Sequence, residues 1–367
     1  MGIQAPTTHP LIAPTLEEAK ATQFRLMECI SAHFDGRQLL QADYGNVPGL
    51  GRPETTARVE RVLAQFFGVE ACALVQGAGT GAIRAMLGSA LNSGDRIIIH
   101  AGPPYATTRT SLKALNIQEE KVNFNNLQEV EKILSGSNRA PWAYLQHSRH
   151  DIEDSYSPKE LIDLFNESGV KVMTDENYSV FKVLKIGVEL GAYASTFSTF
   201  KMLGPEGIGC VLGSSEIIEK IHLDNYSGGG QVQGPQATDA MRSLVLAPVI
   251  WAVQAEVVEE VAKRLNSGEV PGISAGLVVN AQDKMILVLT EKPVADQVIE
   301  ISAKFGAQNY PVGANSRYEV APFIYRLSGA NLESRPELAK YAIRVNPVRA
   351  GADQVISILS KSLSAVL

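Results

Sequence analysis

Short apolar runs bounded by turn residues alternate with amphipathic segments through the first two thirds of the chain, and that alternation narrows the fold more than any other feature. The runs RIIIH (96–100), KVNF (121–124), WAYLQ (142–146), KVMTD (171–175), YASTFS (193–198) and IGCVLG (208–213) have strand length and are bounded by turn residues. Helical segments stand between several of them. The best marked is SPKELIDLFNESG, with Ser157 as N-cap, Pro158 at N1, Glu160 at N3 and Gly169 just past the end. Strand and helix in alternation predict an α/β protein whose mostly parallel central sheet is covered by helices on both faces.

The flanking regions read differently. Ahead of the alternation, PTLEEAKATQFRLMECISAHF opens with Thr15 and Glu18 at capping-box spacing, and Phe24, Met27, Ile30 and Phe34 recur at roughly helical period. TTARVERVLAQFFGV predicts a second helix, and ACALVQGAGTGAIRAML a strand, a tight glycine turn and a helix. After the alternation, residues from about 236 to 265 are rich in Ala, Val and Glu and interrupted only by Pro248, which predicts one long helix leaving the first lobe. KMILVLT and YAIRVNP then read as strands of a second, α+β lobe closed by the helix ADQVISILSKSLSAVL. The expected division is an N-terminal helix and arm (1–50), a large domain with the interdomain helix (51–265) and a small C-terminal domain (266–367).

Charge narrows the choice of partners. A net charge of -6 with no basic run argues against nucleic acid or an anionic membrane and leaves a small molecule as the expected partner. Cys29, Cys72 and Cys210 are odd in number and lack metal-type spacing, and no long apolar or signal-like segment is apparent, so a cytoplasmic location is expected.

Three places carry candidate chemistry. In VQGAGTGAIRAML, Gly77, Gly79 and Gly81 stand where a strand turns into a helix, a setting in which backbone N–H groups bind phosphate. The segment has no Lys-Ser or Lys-Thr pair after the glycines, and its spacing misses the dinucleotide fingerprint, so neither a Walker loop nor a dehydrogenase site is indicated. A tight packing turn explains the same residues equally well. KVMTDENYSVF ends a strand in Asp175, at the carboxyl edge where open α/β sheets place ligands, although a loop-capping aspartate would look the same. In STFSTFKMLGPEGIG, Lys201 follows a β-prone run and precedes a glycine- and proline-rich turn, a poor place for a charge that only solubilises.

The order of these features, a glycine cup, an aromatic at Tyr105, a strand-end aspartate and a lysine preceded by Ser198, resembles that of the fold-type I pyridoxal 5'-phosphate enzymes of the aspartate aminotransferase superfamily. More narrowly, LVQGAGTGAIRA, QHSR, TDENY, STFSTFKMLGPEGIG and YSGGGQVQG resemble the YhfS-type proteins, and in part the cystathionine lyase-related aluminium-resistance group. The resemblance spans nearly the whole chain.

It implies roles for particular residues. Lys201 would hold the cofactor as an imine and, once released, act as base at the substrate Cα. Asp175 would keep the ring nitrogen protonated, Tyr105 would stack on the ring, and Ala78, Gly79 and Thr80 would hold the phosphate through backbone N–H groups, with the Thr80 and Ser198 hydroxyls helping. Arg344 would grip the substrate carboxylate, and Gln146, Ser148 and Arg149, at another strand end, would contact the ring oxygen or the substrate. By spacing alone, His147 and His150 make only an HxxH, short of a zinc site, and read as loop histidines. Tyr44, Arg52, Gly229 and Gln231 would serve a neighbouring subunit, which implies a homodimer or dimer-based oligomer with shared sites. The implied function is that of a lyase of the cysteine and methionine type or an aminotransferase; a racemase or a non-catalytic cofactor-binding module are the alternatives.

Overall fold

Seven strands form the sheet that organises the larger part of the chain, in the order β1-β7-β6-β5-β4-β2-β3. They are β1 (Ala71–Gln76), β2 (Arg96–His100), β3 (Gln118–Val122), β4 (Trp142–Gln146), β5 (Lys171–Asp175), β6 (Ala194–Ser198) and β7 (Ile208–Gly213). Strands β3, β2, β4, β5 and β6 pair in parallel, whereas β7 is antiparallel to both β6 and β1. β1 therefore runs in the same direction as β6. The carboxyl ends of six strands share one edge of the sheet, which is the α/β architecture the sequence predicts. The computed structural model describes residues 4–102, 104–149, 151–226, 230–281, 283–310, 315–328 and 330–367.

Helices α1 (Leu16–His33), α2 (Glu54–Phe67), α3 (Ala78–Ala90), α4 (Ala106–Ala114), α5 (Leu127–Leu134), α6 (Pro158–Glu167) and α7 (Ser215–Asp224) accompany this sheet. One apolar cluster joins Ile83, Met86 and Leu87 of α3 to Ile97, Ile99, Met173 and Val211 of the strands. A second joins Leu161, Ile162 and Phe165 of α6 to Ile98, Ala143, Leu145 and Val172. Alternate residues of β2 and β4 thus face opposite clusters, as the period-two pleat requires of strands buried on both faces.

Local signals in the sequence correspond closely to what forms. The Thr15 side chain accepts from Glu18 N–H while the Glu18 carboxylate accepts from Thr15 N–H, and Ser157 caps α6 with Pro158 inside its first turn. Of the expected apolar stripe of α1, Ile30 and Phe34 are buried, joined by Ala19 and Leu26, whereas Phe24 is 60% and Met27 38% exposed. β3 begins three residues before the run KVNF, and Phe124 leaves the strand, donating its N–H to His100 Nδ1 at 3.1 Å. Cys72 and Cys210, far apart in sequence, meet across β1 and β7 with their sulfurs 3.4 Å apart, both free thiols.

The chain divides into two compact units that are not consecutive in sequence: Pro14–His147 with Tyr156–Val249, and Met1–Ala13 with Ser148–Ser155 and Ile250–Leu367. The boundary near residue 250 falls inside α8 (Gly234–Asn266), the long helix with Pro248 in its interior. The second unit is built on a four-stranded antiparallel sheet, β10-β11-β9-β8. Its strands are β8 (Ile273–Ala281), β9 (Asp283–Thr290), β10 (Phe323–Arg326) and β11 (Ala342–Asn346), and its helices α9 (Ala295–Ser302), α10 (Ala330–Ser334) and α11 (Ala352–Ser364). Among the described residues, no helix is long and apolar enough to cross a membrane.

Candidate active site

Lys201 is carried by a tight turn at the end of β6. Residues Thr199–Met202 form a single 3-10 turn, and Leu203 closes it in the left-handed region at φ 64°. The buried Thr199 hydroxyl donates to Ile208 O at 2.9 Å, and a Cβ on Gly204 would stand 2.6 Å from Thr199 O, so the glycine allows the chain to fold back on itself. The lysine is partly buried, with Nζ 2.5 Å from the Tyr178 hydroxyl and 4.1 Å from the centroid of the same ring.

Tyr178 lies three residues beyond Asp175, the last residue of the neighbouring strand β5. The Asp175 carboxyl group is buried and accepts three hydrogen bonds: Tyr144 O–H at 3.0 Å on Oδ2, and Asn177 N–H at 3.0 Å and Asn177 Nδ2 at 2.6 Å on Oδ1. Burial pushes its pKa up, opposed by these donors and reinforced by Glu176; no cationic side chain among the described residues pairs with it. Burial, and then the Asp175 charge, likewise push the Tyr144 hydroxyl up, so it stays a donor.

The glycine turn after β1 abuts the same loop. Gly77 at φ 96° and Ala78 at φ 54° turn the chain into α3, and both N–H groups donate to Gly207 O, at 2.7 and 2.9 Å. The Ala78 amide is therefore already used within the chain, which corrects its expected role toward a phosphate. The amides of Gly79 and Thr80 have no acceptor among the described residues, as the first turn of a helix leaves them. A Cβ on Gly79 would fall 2.0 Å from Asn177 Oδ1, so this glycine permits the close approach of the turn to the residue that supports Asp175. The Thr80 hydroxyl donates to Thr107 Oγ1 at 3.2 Å, and Ser198 is buried at the end of β6.

The remaining candidates divide. Tyr105, 42% exposed, occupies the N-cap position of α4 after β2 on the same sheet edge. Ser148 and Arg149 belong to the smaller unit, where Arg149 Nη1 donates to the carbonyls of His9 at 2.7 Å and Asp154 at 3.1 Å. This buried guanidinium fastens the amino-terminal stretch, a structural engagement the sequence did not suggest. Arg344 on β11 is buried in that unit, with Nε 3.2 Å from Met285 Sδ, Nη1 3.4 Å from Ser328 Oγ and Cζ 4.4 Å from the Tyr325 ring centroid.

Tyr44 is 73% exposed. Arg52 is turned inward instead, with Nε 2.6 Å from Glu60 Oε2 and Nη1 donating to Leu50 O at 3.0 Å, and Gln231 is buried in the same region. Arg52 and Gln231 are thus both engaged within their own chain. Gly229 and His150 lie outside the described residues. His147 stands in the loop after β4, as expected, but is buried there, with Nδ1 2.8 Å from Glu176 Oε2, off the hydrogen-bond direction. Among the described residues there is no group of side chains suited to a metal ion.

Sequence reasoning passed over Tyr144, Asn177 and Tyr178. Tyr178 and Asn177 were within reach, since both stand in the TDENY motif, whereas Tyr144 meets Asp175 only because β4 and β5 pair in register, Gln146 opposite Asp175.

Residues 54–243 match the family described as aminotransferase class-V, and residues 259–359 match the YhfS-like C-terminal domain. A protein of Escherichia coli strain K12, "Uncharacterized protein YhfS", is 43% identical over 360 residues, covering 98% of this chain and 99% of that one. The crystal structure described as the pyridoxal-5'-phosphate dependent protein YhfS from Escherichia coli superimposes with a TM-score of 0.96 at 43% identity, covering 98% of this chain and 100% of that one. A structure described as a putative cystathionine beta-lyase involved in aluminum resistance from Listeria innocua shares the fold at a TM-score of 0.71 and 17% identity, over 95% of this chain and 94% of its own.

Proposed function

The chain belongs to the class-V aminotransferase family and groups with the YhfS proteins, and on that premise we propose that it is a pyridoxal phosphate-dependent enzyme acting on an amino acid, with Lys201 as the amine that holds the cofactor. The observation that carries this reading is Asp175, a buried carboxylate with three donors and no cationic partner among the described residues, on the strand paired with the one that leads into Lys201. A buried anion of this kind suits a protonated ring nitrogen. The two amides of Gly79 and Thr80, without acceptors among the described residues and at a helix start, suit a phosphate. The description of the Escherichia coli relative as pyridoxal-5'-phosphate dependent supports the same cofactor.

Pyridoxal phosphate, when bound, supplies an aldehyde that takes up an amino group and a ring that accepts the electron pair left by a bond broken at Cα. The chain's own groups do the rest. Asp175, oriented by Tyr144 and Asn177, holds a proton on the ring nitrogen. Gly79 and Thr80 bind the phosphate, and the buried Ser198 hydroxyl is placed at the strand end to assist. Lys201 Nζ must be neutral to react and then takes the proton from Cα, and the Tyr178 hydroxyl, at 2.5 Å, orients that nitrogen and exchanges a proton with it. Tyr105, at the start of α4 on the same sheet edge, would stack on the ring.

The reaction is elimination from an amino acid of the cysteine and methionine type or transfer of its amino group. The proposed assembly is a homodimer, and Phe24, Leu40, Tyr44, Leu223 and Tyr226 are apolar side chains that the single chain leaves exposed. A visible absorption band in protein supplied with pyridoxal phosphate, absent from Lys201→Ala, is the expected first result; no band in wild type would overturn the cofactor assignment. Ammonia release against keto-acid acceptor dependence, screened over amino acids, then decides lyase or transferase.

A further inference from the structure

β1 has β7 on one side only, and its other edge, just before the glycine turn, is closed by side chains. Leu74 N–H donates to Glu60 Oε1 at 3.0 Å, Val75 forms an isolated antiparallel bridge with Gln231, and Gln76 Nε2 donates to Gln231 O at 3.1 Å. Glu60 Oε2 receives Arg52 Nε at 2.6 Å. Gln231 Nε2 in turn donates to Gly51 O, and to Tyr226 O at 2.9 Å. The contacts form a closed ring, from the β1 edge through Glu60, Arg52 with Gly51, and Gln231, back to the β1 edge. Thr56 ties the same region to Val232 O at 2.8 Å.

The ring is costly to build, which argues that it has a task. Glu60 and Gln231 are 3% and 6% exposed, Gln231 Oε1 makes no hydrogen bond among the described residues, and His222 Nε2, 3.6 Å from Glu60 Oε2, lies outside hydrogen-bond geometry. What the ring holds is the stretch that leads directly into Gly77, whose other flank is fixed by Gly207 O through the N–H groups of Gly77 and Ala78. Clamped on both sides, the turn has its Gly79 and Thr80 amides aimed by residues that do not touch the ligand themselves.

We propose that Glu60, Arg52 and Gln231 form an intrasubunit clasp on the edge of β1, and that Glu60 and Gln231 are positioning residues for the phosphate-binding amides of Gly79 and Thr80. This rests on the pyridoxal phosphate reading, and it gives Arg52 a task within its own subunit. The clasp makes a distinction that general loosening does not: it concerns the phosphate, and leaves the aldehyde and ring contacts alone.

The test uses full-length Gln231→Ala, with Glu60→Gln as the more conservative second variant, against wild type. Amide hydrogen exchange over residues 71–81 should speed up in both variants, while exchange in β4 and β5 stays as in wild type. Affinity for pyridoxal phosphate should fall by about tenfold with affinity for phosphate-free pyridoxal unchanged, as losing a support one contact removed from a ligand does. Faster exchange confined to residues 45–52 and 225–233, or equal weakening of pyridoxal and its phosphate, would overturn the clasp. Absence of cofactor binding by wild type would instead remove the cofactor reading, and the exchange over 71–81 would still decide whether the ring holds β1.

Discussion

Two buried acids of the larger unit, Glu60 and Asp175, are built in opposite ways. Glu60 faces Arg52 at 2.6 Å and takes the Leu74 N–H, so its negative charge is answered from within the chain. Asp175 has donors of comparable number, Tyr144 and Asn177, but no cation among the described residues. The first arrangement serves the fold, because an ion pair closed on itself asks nothing of a ligand. The second leaves a charge that only an incoming positive group can answer, which is what marks it as a site.

The comparison can be broken experimentally at both ends. The largest effect is expected at Lys201, the group Asp175 accompanies: Lys201→Ala should lower turnover by about a thousandfold or more, as loss of a proton-transferring group does, measured with whichever amino acid wild type consumes. Asp175→Asn should cost on the order of a hundredfold in turnover while leaving cofactor-free thermal stability equal to wild type or higher, since an unanswered buried charge is removed. A clear loss of stability in that variant would show that Asp175 is a structural acid like Glu60.

At the other acid the signs reverse. Arg52→Ala leaves Glu60 buried without its cation and should destabilise by about 2 kcal/mol in denaturant unfolding, less than for a fully enclosed pair because Arg52 retains some exposure. The loss should be larger at pH 8 than at pH 6. Burial raises Glu60 from 4.5 to about 7, with Arg52, the Leu74 N–H and Arg61 pulling the other way. The folded chain therefore holds more protons than the unfolded one between those values, and this group withdraws stability as pH rises from about 4.5 to about 7. His222, lowered to about 4 by burial and Arg52, acts oppositely, withdrawing stability as pH falls from 6.5 toward 4. Glu60→Gln should erase the first slope and keep the second; an unchanged profile would mean that Glu60 is already ionised throughout. The smallest effect is expected for Tyr178→Phe, which keeps the ring beside Lys201 and removes the hydroxyl: about a tenfold fall in turnover with a shifted pH profile.

The same contrast explains what could be read from the sequence. Lys201, Asp175 and the glycine turn announce themselves because each sits at a strand end whose period and caps are local properties. The roles of Arg52 and Arg149 were hidden, because their partners, Glu60 and the carbonyls of His9 and Asp154, are set by how separate segments come together. β8 escaped notice for a related reason: Gly276 weakens its strand signal, yet a Cβ there would meet Leu265 at 3.0 Å, so the glycine answers a packing need that only the folded chain displays. The same holds for α1, whose exposed Phe24 and Met27 look like core residues by type and are not.

The central claim, that Lys201 is the amine that carries pyridoxal phosphate, is tested most directly by borohydride reduction of the cofactor-loaded protein followed by peptide mass mapping. The predicted result is one reduced pyridoxyl group per chain, on the peptide containing Lys201 and on no other, with the Asp175→Asn protein labelled at the same lysine. Labelling spread over surface lysines, or an unmodified Lys201 peptide in protein that nevertheless binds the cofactor, would contradict it.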